Sequence, residues 1–181
     1  MEDGLVIRGD RVSLRPYRQE EAEQLLDHWL SSTWRVGGTA DRAAARRRLR
    51  QRIARSGRLT GGRLELAIDV DGRVVGDVEA RHPPGALPPG VFEIGIEIHD
   101  EAERGRGYGS EAITLIAQHL FDAHAAERVQ ASTAVWNAPM RSVFTRLGFR
   151  EEGILHGFMP TETGRDDFVL YAITRRPPAA P

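Results

Sequence analysis

The run Arg104-Gly105-Arg106-Gly107-Tyr108-Gly109-Ser110 places a glycine at every second position just ahead of a helical pattern. Glycines at that spacing let successive backbone N–H groups turn into one concavity. The following helix adds its own free N–H groups and the positive end of its dipole. The chemistry this points to is binding of a phosphate or pyrophosphate. A dinucleotide-binding turn does not fit, because the third glycine of G-x-G-x-x-G falls on Ser110. A P-loop does not fit either, because no Gly-Lys-Ser/Thr follows. Upstream, Val91–Ile98 alternates as a strand, with Phe92, Ile94, Ile96 and Ile98 on one side and Glu93, Gly95 and Glu97 on the other. Two carboxylates therefore share one strand face. Asn137, ahead of Ala138-Pro139, has the form of a helix N-cap. His119 and His124 have no acidic or histidine partners at metal spacing, so no metal site is assigned to them.

These residues need a scaffold, and the patterning supplies one. Residues 12–16 alternate as a first strand closed by Pro16. Residues 19–30 form a helix with Ala22, Leu25, Leu26 and Trp29 on one face. A second helix opens at the N-cap Asp41 and runs to about Ser56 before Gly57. It is rich in arginine (Arg42, Arg46, Arg47, Arg48, Arg50, Arg52, Arg55), which suits a solvated face or a basic wall beside a cleft. Strands at 64–70 and 73–80 flank the hairpin signal Asp71-Gly72. Residues 82–90, with four prolines, form an exposed loop. After the glycine-rich turn come a helix at 110–123, a strand at 129–135, a helix at 138–147 stopped by Gly148, and two strands at 150–157 and 168–174. This is a mixed sheet with helices on its faces, α plus β.

Length and composition bound the function. The 181 residues, 40% hydrophobic and 28% charged, suit one domain with a true core, here 1–176, followed by a fraying tail at 177–181. The formal net charge of -1 argues against a surface built for nucleic acid or anionic membrane. Cysteine is absent, which removes disulfides, thiolate metal sites and a cysteine nucleophile together. Lysine is absent too, and every fixed cation is arginine. No apolar run approaches the roughly 20 residues of a membrane helix. The acidic start Met1-Glu2-Asp3 has no signal-peptide form, so the expected location is cytoplasmic.

The glycine run also resembles the pyrophosphate motif R/Q-x-x-G-x-G/A of the GNAT superfamily of N-acetyltransferases, met by Arg104, Gly107 and Gly109. Asn137 followed by Leu147-Gly148-Phe149 is similar to the N…G-F signature of that fold's second half. Residues 164–171 resemble the final hairpin of the RimJ/RimL branch. The resemblance implies an α/β (α+β) GNAT fold with a mostly antiparallel central sheet of about seven strands and helices on both faces. It implies acetyl-CoA as donor and a primary amine as acceptor, either a small molecule or a protein N-terminal α-amine. A CoA-binding sensor or partner module is the alternative, and homodimerisation is left open.

In that family pantetheine lies between two splayed central strands, here 91–98 and 129–135. The resemblance thus gives pantetheine to the backbone of Ile96 and Ile98 and to Asn137. It gives the pyrophosphate to Arg104, Gly105, Arg106, Gly107, Tyr108, Gly109 and Ser110. The acceptor amine must lose a proton to attack the thioester. Glu93, eleven residues before Arg104, is the first choice of base, Glu97 the second or an amine anchor, and His99 the third. The family's usual proton donors to the thiolate fall on Phe144 and Met140, which cannot serve, so Ser142, Tyr108 or a water is left. A glutamate of the alanine-specific ribosomal enzyme is replaced by Ser132. Trp29 is expected in the core, and Trp34, beside Gly37-Gly38, in the acceptor pocket.

Overall fold

The computed structural model describes residues 4–31, 41–82 and 85–175. Trp34, Gly37-Gly38 and the 177–181 tail lie outside the described residues. Among these residues eight strands form one sheet: β1 (Ile7–Arg8), β2 (Ser13–Arg15), β3 (Arg63–Val70), β4 (Arg73–Arg81), β5 (Val91–Ile98), β6 (Arg128–Ala134), β7 (Arg150–Pro160) and β8 (Arg165–Thr174). Their spatial order is β1-β2-β3-β4-β5-β6-β8-β7. Every neighbouring pair is antiparallel except β5–β6, which is parallel. The sheet thus has one strand more than the sequence pattern shows. The extra strand is the two-residue β1, too short to carry a period of two.

The hairpin signal holds. Asp71 and Gly72 both have positive φ, 51° and 83°, as a two-residue turn that follows the strand twist requires. The last hairpin is longer than its sequence pattern, because β7 continues through Gly157 to Pro160.

Among the described residues four α-helices cover the two faces: α1 (Ala22–Ser31) and α2 (Arg42–Arg55) on one, α3 (Tyr108–Ala123) and α4 (Ala138–Arg146) on the other. The main core lies under α3 and α4, where Ile113, Ile116, Leu120 and Phe144 meet Leu66, Val78, Phe92, Ile94 and Val129 of the sheet. A smaller cluster joins Leu25 and Leu26 of α1 and Leu49 and Ile53 of α2 to Ala67 and Val74. In α2 the Asp41 carboxylate accepts the Ala43 N–H at 2.9 Å, and only Ala45, Leu49 and Ile53 are buried. No described helix is long and apolar enough to cross a membrane.

The parallel pair matters most for function. Two parallel strands need a long crossover, which the turn at 99–107 and α3 provide. The β5–β6 register covers only Val91, Phe92 and Glu93 against Arg128, Val129 and Gln130. Beyond Glu93 the strands part, and a gap opens in the middle of the sheet.

Candidate active site

A cleft of about 520 Å³ runs through that gap from one face of the sheet to the other. Glu93, Ile96 and Glu97 of β5 line it, with Ser132 and Thr133 of β6 across the gap. Asn137, Met140 and Phe144 close one end, and Trp29 of α1 and Arg52 of α2 reach the other. Phe158 and Met159 of β7 with Phe168 of β8 form an apolar wall. His99 N–H donates to Val75 O at 3.0 Å on the β4 side. Strand alternation therefore turns the peptide groups of Ile96 and Ile98 the opposite way, toward the open edge. The Ile98 carbonyl already accepts from Arg104 Nε and Nη2, both at 3.4 Å.

The glycine-rich turn lies at the end of this edge. Gly105 and Gly107 take φ of 77° and 87°, and Gly107 caps α3. The helix starts at Tyr108, two residues before the sequence pattern places it, so Tyr108, Gly109 and Ser110 form its first turn. Arg106 folds back on Ala102 O at 3.2 Å. Arg11, which sequence reasoning did not single out, donates from Nη1 to Arg106 O at 3.2 Å. A Cβ at Gly107 would lie 2.2 Å from that nitrogen. Arg11, Gly107, Ser110, Thr114 and Leu147 border a second cavity of about 500 Å³. Tyr108 packs against the core and borders neither cavity. Asn137 caps α4, accepting the Met140 N–H at 3.3 Å, while it also lines the main cleft.

The α1–α2 side of the cleft is charged. Glu93 accepts from Arg81, directly opposite on β4, and from Gln130 Nε2 at 3.3 Å. Glu79 meets Arg63 at 2.8 Å and Arg81 at 3.4 Å. Arg52 Nε lies 2.8 Å from Glu65 Oε1, and its Nη2 3.3 Å from Asp77 Oδ1. Burial alone would raise the Asp77 carboxyl, but hydrogen bonds from His99 and Arg52 outweigh it and hold the group below the usual carboxylate range. For Glu65 burial wins over Arg52, and its carboxyl is pushed up.

Arg52 is the member of the arginine-rich helix that lines the cleft. Arg42 and Arg46 pair outward with Asp27 at 2.8 Å and Glu23 at 2.9 Å, and Arg47, Arg48 and Arg50 are exposed. Arg52→Met is expected to cost about 3–5 kcal/mol in urea unfolding, because it strands two covered carboxylates. Charge reversal at Arg47, Arg48 and Arg50 should stay within about 0.5 kcal/mol of wild type per site. An Arg52→Met protein as stable as wild type would show that Glu65 and Asp77 do not depend on it.

The candidate proton donors are scattered. Phe144 is buried in the core, stacked on Tyr171 with centroids 5.3 Å apart and planes 22° apart. Ser142 does not reach the cleft: it sits on the exposed face of α4 and its Oγ accepts from Arg146 at 2.7 Å. Ser132 and Thr133 bring hydroxyls to the cleft wall. Trp29 is both a core and a cleft residue, packing on the smaller cluster while lining the cavity. His119 and His124 meet edge to face at 5.0 Å on and just beyond α3, outside both cavities.

Comparison with known proteins bears on this geometry. Residues 11–150 match the model of the acetyltransferase (GNAT) domain family. The SPbeta prophage-derived uncharacterized N-acetyltransferase YokL of Bacillus subtilis (strain 168) is 26% identical over 110 residues, 61% of this chain. The match spans 60% of that relative's length. Among solved structures, RimL, a ribosomal L7/L12 α-N-protein acetyltransferase in complex with coenzyme A, superposes with a TM-score of 0.78 at 17% identity, covering 94% of this chain and 98% of that one. Mycobacterium smegmatis RimJ in complex with CoA-disulfide superposes with a TM-score of 0.74 at 25% identity, covering 96% and 88%.

Proposed function

Because the chain belongs to the GNAT acetyltransferase domain family, we propose that it carries an acetyl group from acetyl-CoA directly to a primary amine within a ternary complex. The observation that carries this reading is the parting of β5 and β6 after Glu93. The β5 edge that faces the gap leads on to a glycine turn capping a helix, with Arg104 bonded to the Ile98 carbonyl, and carboxylates floor the gap itself. That order suits a thioester arm with a phosphate at one end and an ammonium acceptor at the other. The RimL and RimJ structures, both holding forms of coenzyme A, support the same donor.

Acetyl-CoA would supply an acyl group on a thiolate that leaves readily. The turn from Arg104 to Ser110 would hold its pyrophosphate, and Arg11 adds a guanidinium there. Ile96, Ile98 and Asn137 would position the arm. An alkyl ammonium has a pKa near ~10 and must give up a proton before its nitrogen can attack. Glu93 and Glu97 stand on the cleft to take it. As the new C–N bond forms the C–S bond breaks, and the thiolate is protonated by water, since Phe144 and Met140 cannot donate. With no cysteine in the chain, no cysteinyl acyl-enzyme forms.

The apolar wall and acidic floor suit a cationic amine with an apolar body. The cleft volume is that of a small-molecule site, so a small amine is the first acceptor class and a peptide N-terminus the second. The filled acid position at Phe144 favours one rival, a CoA-binding module without turnover. Thiol release from acetyl-CoA, screened against panels of small amines and peptides, tests both, with thermal unfolding to report binding. Release with an amine supports the transferase. A raised melting temperature without release from any acceptor supports the module. Neither response would overturn both.

A further inference from the structure

Asp77 and Glu97 stand directly opposite each other on β4 and β5. Like charges in that register repel. Two imidazoles answer them: His99, just after β5, has Nε2 2.9 Å from Asp77 Oδ2, and His28 of α1 has Nε2 3.4 Å from Glu97 Oε1. The two rings stack, with centroids 3.8 Å apart and planes 23° apart. All four side chains are largely covered, with exposures between 13% and 27%.

The two carboxylates differ in one respect. Asp77 also meets Arg52, and Glu65, Glu79 and Glu93 each have an arginine within 4 Å. Glu97 has no arginine that close among the described residues; its partner there is His28. Protonating both stacked rings would bring two cations face to face, so at least one imidazole is held neutral.

We propose that His28 is a positioning residue whose neutral ring presents Nε2–H toward Glu97, at 3.4 Å and short of a closed hydrogen bond, leaving Glu97 as the uncompensated carboxylate that receives the acceptor's ammonium group and its proton. The role given to Glu97 rests on the acetyl-transfer reading; the His28–Glu97 pair itself does not. Burial and then the neighbouring His99 hold the His28 imidazole below its ordinary range, against the pull of Glu97 and Asp77. The described groups facing His28 are Glu97 and His99, Asp77 from β4, and Arg52 behind Asp77 from α2. On α1 itself, Asp27 and Glu23 pair outward with Arg42 and Arg46. As pH falls and His28 charges, its proton cancels the charge of Glu97, and acceptor affinity declines.

Nitrogen-15 NMR of the CoA-free protein tests the pair without any acceptor. At neutral pH His28 should be neutral and protonated at Nε2, and Glu97→Gln should lower its protonation midpoint further. A charged His28, or a neutral ring protonated at Nδ1, overturns the proposal. Kinetics with 2-phenylethylamine as probe test the consequence. His28→Arg, a permanent cation, should raise the acceptor KM at least about ten-fold above that of His28→Gln, with acetyl-CoA binding equal in both. His28→Gln should also remove the acid-side rise in KM. Equal acceptor KM in the two variants overturns the proposal. A wild type that releases no thiol with any amine tested counts against acetyl transfer, and the NMR result then decides the pair.

Discussion

Gly107→Glu should abolish the rise in melting temperature that acetyl-CoA produces. A ligand at a hundred times its Kd stabilises a folded protein by about 2.7 kcal/mol. For a domain of this size that is roughly 5–10 °C, and the variant should show none of it. Two effects combine at this position. Gly107 sits at φ 87°, where a side chain costs about 1–2 kcal/mol, and a Cβ there runs into the Arg11 guanidinium. The new carboxylate would also occupy the concavity meant for phosphate and pair with Arg11, closing it. Gly107→Ala separates the two, since it carries the strain without the charge and should retain part of the shift. Normal acetyl-CoA binding by Gly107→Glu would refute the pyrophosphate assignment.

Glu97→Gln should lower kcat/KM by about 10²–10⁴, the usual cost of losing one general base. The amide keeps the size and the contact with His28 but cannot take a proton. The fall should be greatest near neutral pH and shrink as pH rises, because free amine then forms in solution without the enzyme's help. Acetyl-CoA binding should be unchanged, since the glycine turn is untouched. Glu93→Gln is the matched comparison. Family spacing makes Glu93 the first choice of base, yet its two oxygens already accept from Arg81 and Gln130. The smaller loss is therefore expected there, mostly through release of Arg81 into the cleft. A large loss at Glu93 with none at Glu97 would exchange the two roles and return the base to the position the family spacing indicates.

Much of the fold was legible because it is written locally. The Asp71-Gly72 turn, the Asp41 and Asn137 caps, the apolar stripe of α3 and the alternation of β5 each lie within a few to about a dozen residues. Each follows from backbone sterics and side-chain period alone. Where pattern and structure differ, the local signal is short or ambiguous. β1 has two residues, and Tyr108 and Gly109 look like turn but form the first turn of a helix capped by Gly107. Ser142 shows the limit of listing hydroxyls along the chain: which face of α4 it occupies depends on how that helix docks, and it docks with Phe144 inward.

The residues themselves determined the glycine turn, the two carboxylates on one strand face and the absence of a cysteine nucleophile. Tertiary structure alone decided which charges meet. Arg81 lies opposite Glu93, and Asp77 opposite Glu97, through a register set across the loop between β4 and β5, whose length and prolines carry no pairing code. Arg11 reaches the anion turn from the other end of the chain. Arg52 and His28 enter the site only because α1 and α2 dock on the polar face of the sheet. Local pattern records the period of an element, whereas the partner of a charge is fixed by packing between elements distant in sequence. That packing gives Glu93 an arginine and Glu97 an imidazole, a difference invisible in two glutamates four residues apart on one strand.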